Sequence, residues 1–228
     1  MLRKPKATPS SPAGSILQLK VRLLGISPMI WRRVLVPASC TLRELHGIIQ
    51  AAMGWEGRHL FAFQIRAVGY GSSELGVASA EVSLESFRFR KNAKLTYVYD
   101  MGAWWEHEIR IEDRIEAQAR KRYPLCTGGQ GACPPEDCGG PQGYQARREG
   151  ASGFDALEDV AAVADLVEEI VLERRPEILD DPERCDELER AVERMRARLP
   201  FLEDRFSRRE VNARFRGDEH RRLMHQWC

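Results

Sequence analysis

The chain has no long apolar run, no excess of either charge and few cysteines for its size. In 228 residues no stretch approaches the roughly 20 apolar residues that span a bilayer, which excludes a multi-span membrane protein. Lys+Arg number 35 against 34 Asp+Glu, a net charge of +1, which excludes a uniformly basic nucleic-acid binder. Six cysteines are too sparse for a secreted disulfide scaffold. The basic start, Met1-Leu2-Arg3-Lys4-Pro5-Lys6, is followed by no apolar segment, so no signal peptide is expected and a cytoplasmic location is the default. Three catalytic signatures are missing as well. No Gly-Lys-Ser/Thr follows Gly128-Gly129-Gln130-Gly131, and there is neither a Gly-x-Ser-x-Gly elbow nor a His-Glu-x-x-His helix.

What is present is 43% hydrophobic, enough for one domain, or one domain with a smaller lobe. The neutral total hides an asymmetry: residues 1–150 carry a balance of +7 and residues 151–228 one of −6. The first part is modestly basic, so a protein or nucleic-acid partner is compatible with it, and the two parts attract each other. A membrane partner is not expected. Residues 1–15 read as a disordered basic tail.

Period-two alternation places strands. Leu17, Leu19, Val21 and Leu23 share one face, Gly25-Ile26-Ser27-Pro28 turns the chain, and Ile30 to Val36 returns, giving a hairpin. Thr41-Leu42-Arg43-Glu44 is a capping box that opens a helix running to about Gly54. Residues 60–65 form a strand, 69–86 a loop or insertion, 87–90 a short strand, and 95–99 another strand. Trp105, His107, Ile109 and Ile111 face one side of the next strand, with Glu106 and Glu108 on its solvated face. Residues 123–144 are rich in Gly and Pro and read as a loop. Helices follow over 155–175, from Asp181-Pro182 to Pro200, and after Ser207-Arg208-Arg209-Glu210. This order predicts an α+β fold: a mostly antiparallel sheet, one helix after the first hairpin, then a C-terminal helical region. The expected units are an α+β domain over 16–145 and a helical region over 146–228.

The chemistry centres on the 123–144 segment. Cys126-x6-Cys133-x4-Cys138 supplies three thiols from one stretch, and zinc takes four tetrahedral ligands with thiolates favoured in structural sites. His107, on the preceding strand, is the candidate fourth ligand; the competing reading is a packed core histidine, with three free thiols held by turns. A second constellation gathers Asp100, His107, Glu136 and Asp137, which a metal-dependent hydrolase or nuclease would use. Alternation sets Glu106 and Glu108 opposite to His107 and so excludes them from a joint site. No nucleophile–base pair is visible, which favours a binding or adaptor module over an enzyme. Trp31, Trp55, Trp104 and Trp105 near Arg32, Arg33 and Arg58 offer base stacking, although sheet aromatics are more often core.

Several strings are recognisable together: Tyr99-Asp100-Met101-Gly102, Trp105-Glu106-His107-Glu108-Ile109, Tyr123-Pro124-Leu125-Cys126, Cys133-Pro134-Pro135-Glu136-Asp137-Cys138-Gly139-Gly140 and Gly143-Tyr144. With Ile30-Trp31-Arg32-Arg33, Thr41 to His46 and Met53-Gly54-Trp55, they resemble the plasmid pRiA4b ORF-3-like (Ri-plasmid ORF-3-like) family. Phe206 and Val211 to Arg214 resemble its usual ending. The resemblance implies an α+β domain of bacterial and mobile-element proteins with no settled role. Some relatives carry transposon-passenger or resolvase-like labels, and the third functional reading is therefore a DNA-associated accessory protein. A serine recombinase needs an activated Ser amid an Arg cluster near its N-terminus, which this chain lacks. Members often carry Gly-Asp after the Tyr-Asp pair; here Gly102 is followed by Ala103.

Overall fold

A computed structural model describes residues 14–203 and 205–225. The expected tail therefore lies, but for its last residues, outside the described part, as does Cys228. The chain folds as α+β, with a largely antiparallel sheet followed by helices.

Strands β1 (Ser15–Leu23) and β2 (Trp31–Pro37) form the expected hairpin, in the register Leu19 to Val34. The inward set of β1 is sealed: Leu17, Leu19, Val21 and Leu23 are all buried. Helix α1 (Leu42–Met53) starts at the expected capping box. Glu44 N–H donates to Thr41 Oγ1 at 3.1 Å and Thr41 N–H donates to the Glu44 carboxylate at 2.8 Å, so two of the orphan donors at the helix start are satisfied. Gly54 closes the helix as expected.

Then come β3 (Phe61–Ile65), β4 (Val68–Gly71), β5 (Ala78–Ser79), β6 (Lys94–Tyr99), β7 (Trp105–Glu116) and β8 (Leu125–Gln130). The sheet has eight strands in the order β5-β4-β3-β6-β7-β1-β2-β8. All neighbours are antiparallel except β4 and β5. On β7, Trp105, His107, Ile109 and Ile111 are buried as alternation requires. The opposite face carries ion pairs: Glu108 with Lys94, and Glu112 with Arg33. Hydrogen bonds from Lys94 to Glu108 and from Arg33 to Glu112 hold these two carboxyls below the ordinary glutamate range.

Three local expectations need correction. Residues 69–86 are not one loop, because they hold the end of β4, β5 and two short 3-10 turns. Residues 87–90 are not a strand; a 3-10 turn over Leu84–Phe87 ends at Arg88 in the left-handed region. The Gly/Pro segment is not irregular throughout. Its first part is β8, where Gly128 and Gly129 pair with Arg33 and Arg32, and its last part starts helix α2 (Gly140–Ala151) with Pro141 in the first turn, where a missing N–H costs nothing.

Helix α2 runs across residues 145 and 146, the expected boundary between units. Helix α3 (Phe154–Val167) continues through one π-helical turn to Leu172. Helix α4 (Pro182–Leu202) starts on Asp181, whose carboxylate accepts from Glu183 N–H at 3.0 Å, and runs past Pro200 rather than stopping there. Helices α5 (Arg208–Arg216) and α6 (Glu219–Leu223) return to pack on α1. Their approach is close at Gly47, where a Cβ would sit 2.1 Å from the His220 carbonyl oxygen. No helix among the described residues is long and apolar enough to cross a membrane.

Candidate functional site

The family-like strings converge on the turn between β6 and β7. Asp100 takes φ +59 and its Oδ1 accepts from Gly102 N–H at 2.9 Å and Ala103 N–H at 3.2 Å. Such an Asx arrangement is how a short carboxylate sets a tight turn. The Glu136 carboxylate accepts from the backbone N–H groups of Glu56 (2.6 Å) and Arg58 (3.3 Å) and from the Tyr99 hydroxyl. Its own carbonyl accepts from Trp105 Nε1 at 3.1 Å, and the Pro134 carbonyl accepts from Trp55 Nε1 at 2.8 Å. Burial, then the Glu136 contact, raises the Tyr99 hydroxyl above the ordinary tyrosine value, so it stays a neutral donor. The Cys-Pro-Pro-Glu-Asp string is thus a clasp. It ties the start of α2 to the α1–β3 connection and to two tryptophans.

The remaining motif residues complete the clasp. Gly139 (φ +85) and Gly140 (φ +73) form the left-handed entry to α2. Tyr144 is buried, accepts from Arg148 at 3.1 Å and packs on Phe201 of α4 with ring centroids 6.0 Å apart. Pro135, Glu136 and Asp137 border a shallow hollow of about 330 Å³ with Arg58, Arg147 and Phe201. Glu106 keeps its side chain on the outer face of β7, half-buried, while its carbonyl accepts from Leu24 N–H at 2.8 Å.

The thiols and His107 are not gathered as one site. Among the described residues no group of three or more His, Cys, Asp or Glu side chains is placed to hold a metal ion. Cys126 sits on β8 with its Sγ 3.5 Å from the Gly128 carbonyl oxygen. Burial pushes the Cys133 thiol up to about 12 and the Cys138 thiol up to about 11, so both are neutral near pH 7. His107 is fully buried between the rings of Trp55 (5.5 Å) and Tyr97 (5.2 Å), and its Nδ1 lies 3.0 Å from the Trp105 carbonyl. Burial lowers its pKa to about 4. It is a packed core histidine.

The hydrolase constellation is likewise divided. Asp100 and Asp137 do meet, yet on His59, which sequence reasoning overlooked: His59 Nε2 lies 3.1 Å from Asp137 Oδ1 and 3.7 Å from Asp100 Oδ2. Glu136 is consumed by the clasp and His107 by the core. Trp55 and Trp105 are core residues, whereas Trp31 is covered by Lys20 and Arg33 at 4.7 and 5.1 Å. Arg32, which the sequence offered as a base-stacking candidate, is not open to a base. It is buried, donates to the carbonyls of Ala52, Trp31 and Gln130 at 2.9–3.0 Å, and rests on the Phe206 ring at 4.7 Å. Its place on β2 is in phase with Val34 and Val36, so alternation turns it to the buried face.

A different feature lies open to solvent. Positions 156, 159, 163, 166 and 170 are among the less exposed ones along α3 and its π turn, and Asp159 among them is held by Arg194 (2.5 Å) and Arg198 of α4. The Arg194 hydrogen bonds, more than those of Arg198, keep this carboxyl below the ordinary aspartate range. One residue further on, Leu157, Val160, Ala164, Val167 and Val171 form a second stripe, in steps of three and four. This stripe is apolar, yet it is not covered. Leu157 is 65% exposed, Val160 50%, Val167 53% and Val171 62%. Residues 154–173 carry seven carboxylates and no Lys or Arg.

The fold and the clasp define a class: an α+β domain whose sheet hairpin is fastened by a Cys-Pro-Pro-Glu-Asp-Cys segment. The chain belongs to the plasmid pRiA4b ORF-3-like protein family, whose model matches residues 15–167. It is 43% identical over 137 residues to an uncharacterised protein, y4hQ, of Sinorhizobium fredii (strain NBRC 101917 / NGR234), covering 58% of this chain and 70% of that one. It is also similar to a crystal structure of a protein of unknown function, MM3350, from Methanosarcina mazei Go1. That likeness has a TM-score of 0.59 and 34% identity, over 64% of this chain and 86% of the other.

Proposed function

We propose that the chain is a binding module that docks a basic amphipathic helix of a partner protein along α3. The observation that carries this reading is the uncovered stripe from Leu157 to Val171. Its 3-4-3-4 spacing is that of a coiled-coil seam, and contiguous exposed apolar surface marks interaction sites. Glu158, Asp165 and Glu168 flank it with negative charge only. Two copies of this face would bring like charges together, whereas a helix flanked by Lys or Arg would be attracted and correctly oriented. Helix α4, to which Asp159 ties α3, is held on α2 by the contact of Phe201 with Tyr144, so the docking element is supported rather than free.

The test uses two synthetic amphipathic peptides with the same Leu seam, one flanked by Lys and one by Glu, titrated against the whole protein. The Lys-flanked peptide should bind, and Val160→Glu/Val167→Glu should remove that binding while the circular-dichroism melt stays unchanged. Equal binding of both peptides, or self-association of the protein through this stripe, overturns the reading.

A further inference from the structure

On the opposite side of the clasp from α3, in sequence terms, the chain leaves β7 through Arg120-Lys121-Arg122. These three cations border a cavity of about 600 Å³ whose far wall is built by α5 and α6, which add Arg216 and Arg221. Asp218 is the single carboxylate of that lining, and it already faces Arg221 at 3.5 Å. Arg120, Lys121, Arg122 and Arg216 have no carboxylate partner among the described residues. The floor is mixed: Phe215 is buried, Tyr123 half-buried, and the buried His220 has an Nδ1 with no hydrogen-bond partner among the described residues.

The cations are displayed on a fixed backbone. Gln118 N–H donates to the Tyr123 hydroxyl at 3.2 Å and Lys121 N–H to the Gln118 carbonyl at 3.1 Å. Arg120 itself takes φ +73, a left-handed conformation strained for a non-glycine residue and held only where the surroundings impose it. The far wall is equally fixed, because Asn212 of α5 grips β8 at Cys126 through two 2.9 Å hydrogen bonds. Five cations converging on one concave surface repel one another and focus positive potential into the hollow. An anion with oxygens on several sides relieves that repulsion, and guanidinium forks match phosphoryl oxygens in geometry. The volume falls within the range of about 300–1,000 Å³ common for small-ligand sites.

We infer that this hollow binds a ligand carrying two or more linked phosphoryl groups, gripped between the 120–122 turn and the Arg216/Arg221 wall. The same chemistry is offered by a compact polyphosphate, as in a nucleoside triphosphate, and by a phosphodiester backbone.

The experiment titrates the whole protein with tripolyphosphate, ATP and a 12-nucleotide single-stranded DNA at low salt. At least one of the three should bind, with affinity falling as salt rises. Arg120→Ala/Arg216→Ala should weaken that binding at least tenfold, and Lys91→Ala, on a distant turn, should not. Competition separates the sources. If tripolyphosphate displaces ATP and the oligonucleotide binds no tighter, the ligand is compact; if affinity grows with oligonucleotide length, it is a backbone. No binding by any probe, or binding that the double variant leaves unchanged, overturns the inference.

Discussion

Gly140 lies so close to Ala103 that a Cβ on the glycine would sit 2.1 Å from the Ala103 carbonyl oxygen. Its φ of +73 adds a second constraint, because that conformation is strained for any residue with a side chain. The β6–β7 turn and the entry to α2 are thus in backbone contact. Gly140→Ala should lose about 3 kcal/mol or more of stability, the clash adding to the dihedral strain. Denaturant unfolding monitored by tryptophan fluorescence measures this, since Trp55 and Trp105 both bond to the clasp. A loss below 1 kcal/mol would mean that the turn and the helix yield independently.

Asn212 completes an edge strand with its side chain. Its amide oxygen accepts from Cys126 N–H and its amide nitrogen donates to the Cys126 carbonyl, both at 2.9 Å. Asn212→Leu leaves both backbone groups without that partner at the sheet margin and should cost about 1–3 kcal/mol. Hydrogen exchange at the Cys126 amide should accelerate more than at any β1 amide. Unchanged protection there would contradict the assignment.

Acid stability follows from two buried imidazoles. Burial is the first cause in both cases, lowering His46 to about 3 and His107 to about 4 from an ordinary value near 6.5. Both are neutral in the fold, while the unfolded chain takes up protons below about pH 6.5. The unfolded state therefore binds more protons in this window, so stability rises with pH and is full above it. Acidification from pH 6.5 to 4 withdraws about 1.4 kcal/mol per unit for each group, several kcal/mol in total. Urea midpoints between pH 4 and 7 check this, and His107→Gln should flatten the slope. A midpoint that stays level across that range would show that these rings are not held neutral.

How far the sequence could be read depended on whether the signal was local. The Thr41–Glu44 capping box, the β1–β2 hairpin and the face of β7 all depend on neighbours a few residues apart, and each appears where periodicity put it. The Gly/Pro segment was misread because composition reports flexibility and not partners: Gly128 and Gly129 are paired only because β2 lies beside them. Pro200 stays helical in α4 although proline ordinarily ends a helix. The site suffered most. Grouping the three thiols in one loop ignored that Cys126 belongs to a strand, paired with Val34 of β2. His59 escaped notice because its carboxylate partners lie 41 and 78 positions along the chain, a separation no spacing rule covers.

The grip of Asn212 on β8 has a counterpart at the other margin of the sheet, where β5 is two residues long. An incoming strand needs a row of free backbone groups to add itself to a sheet. One border is here occupied by a side-chain amide and the other is too brief to offer such a row. Strand addition is thereby impeded at Cys126 on one border and at the short β5 on the other.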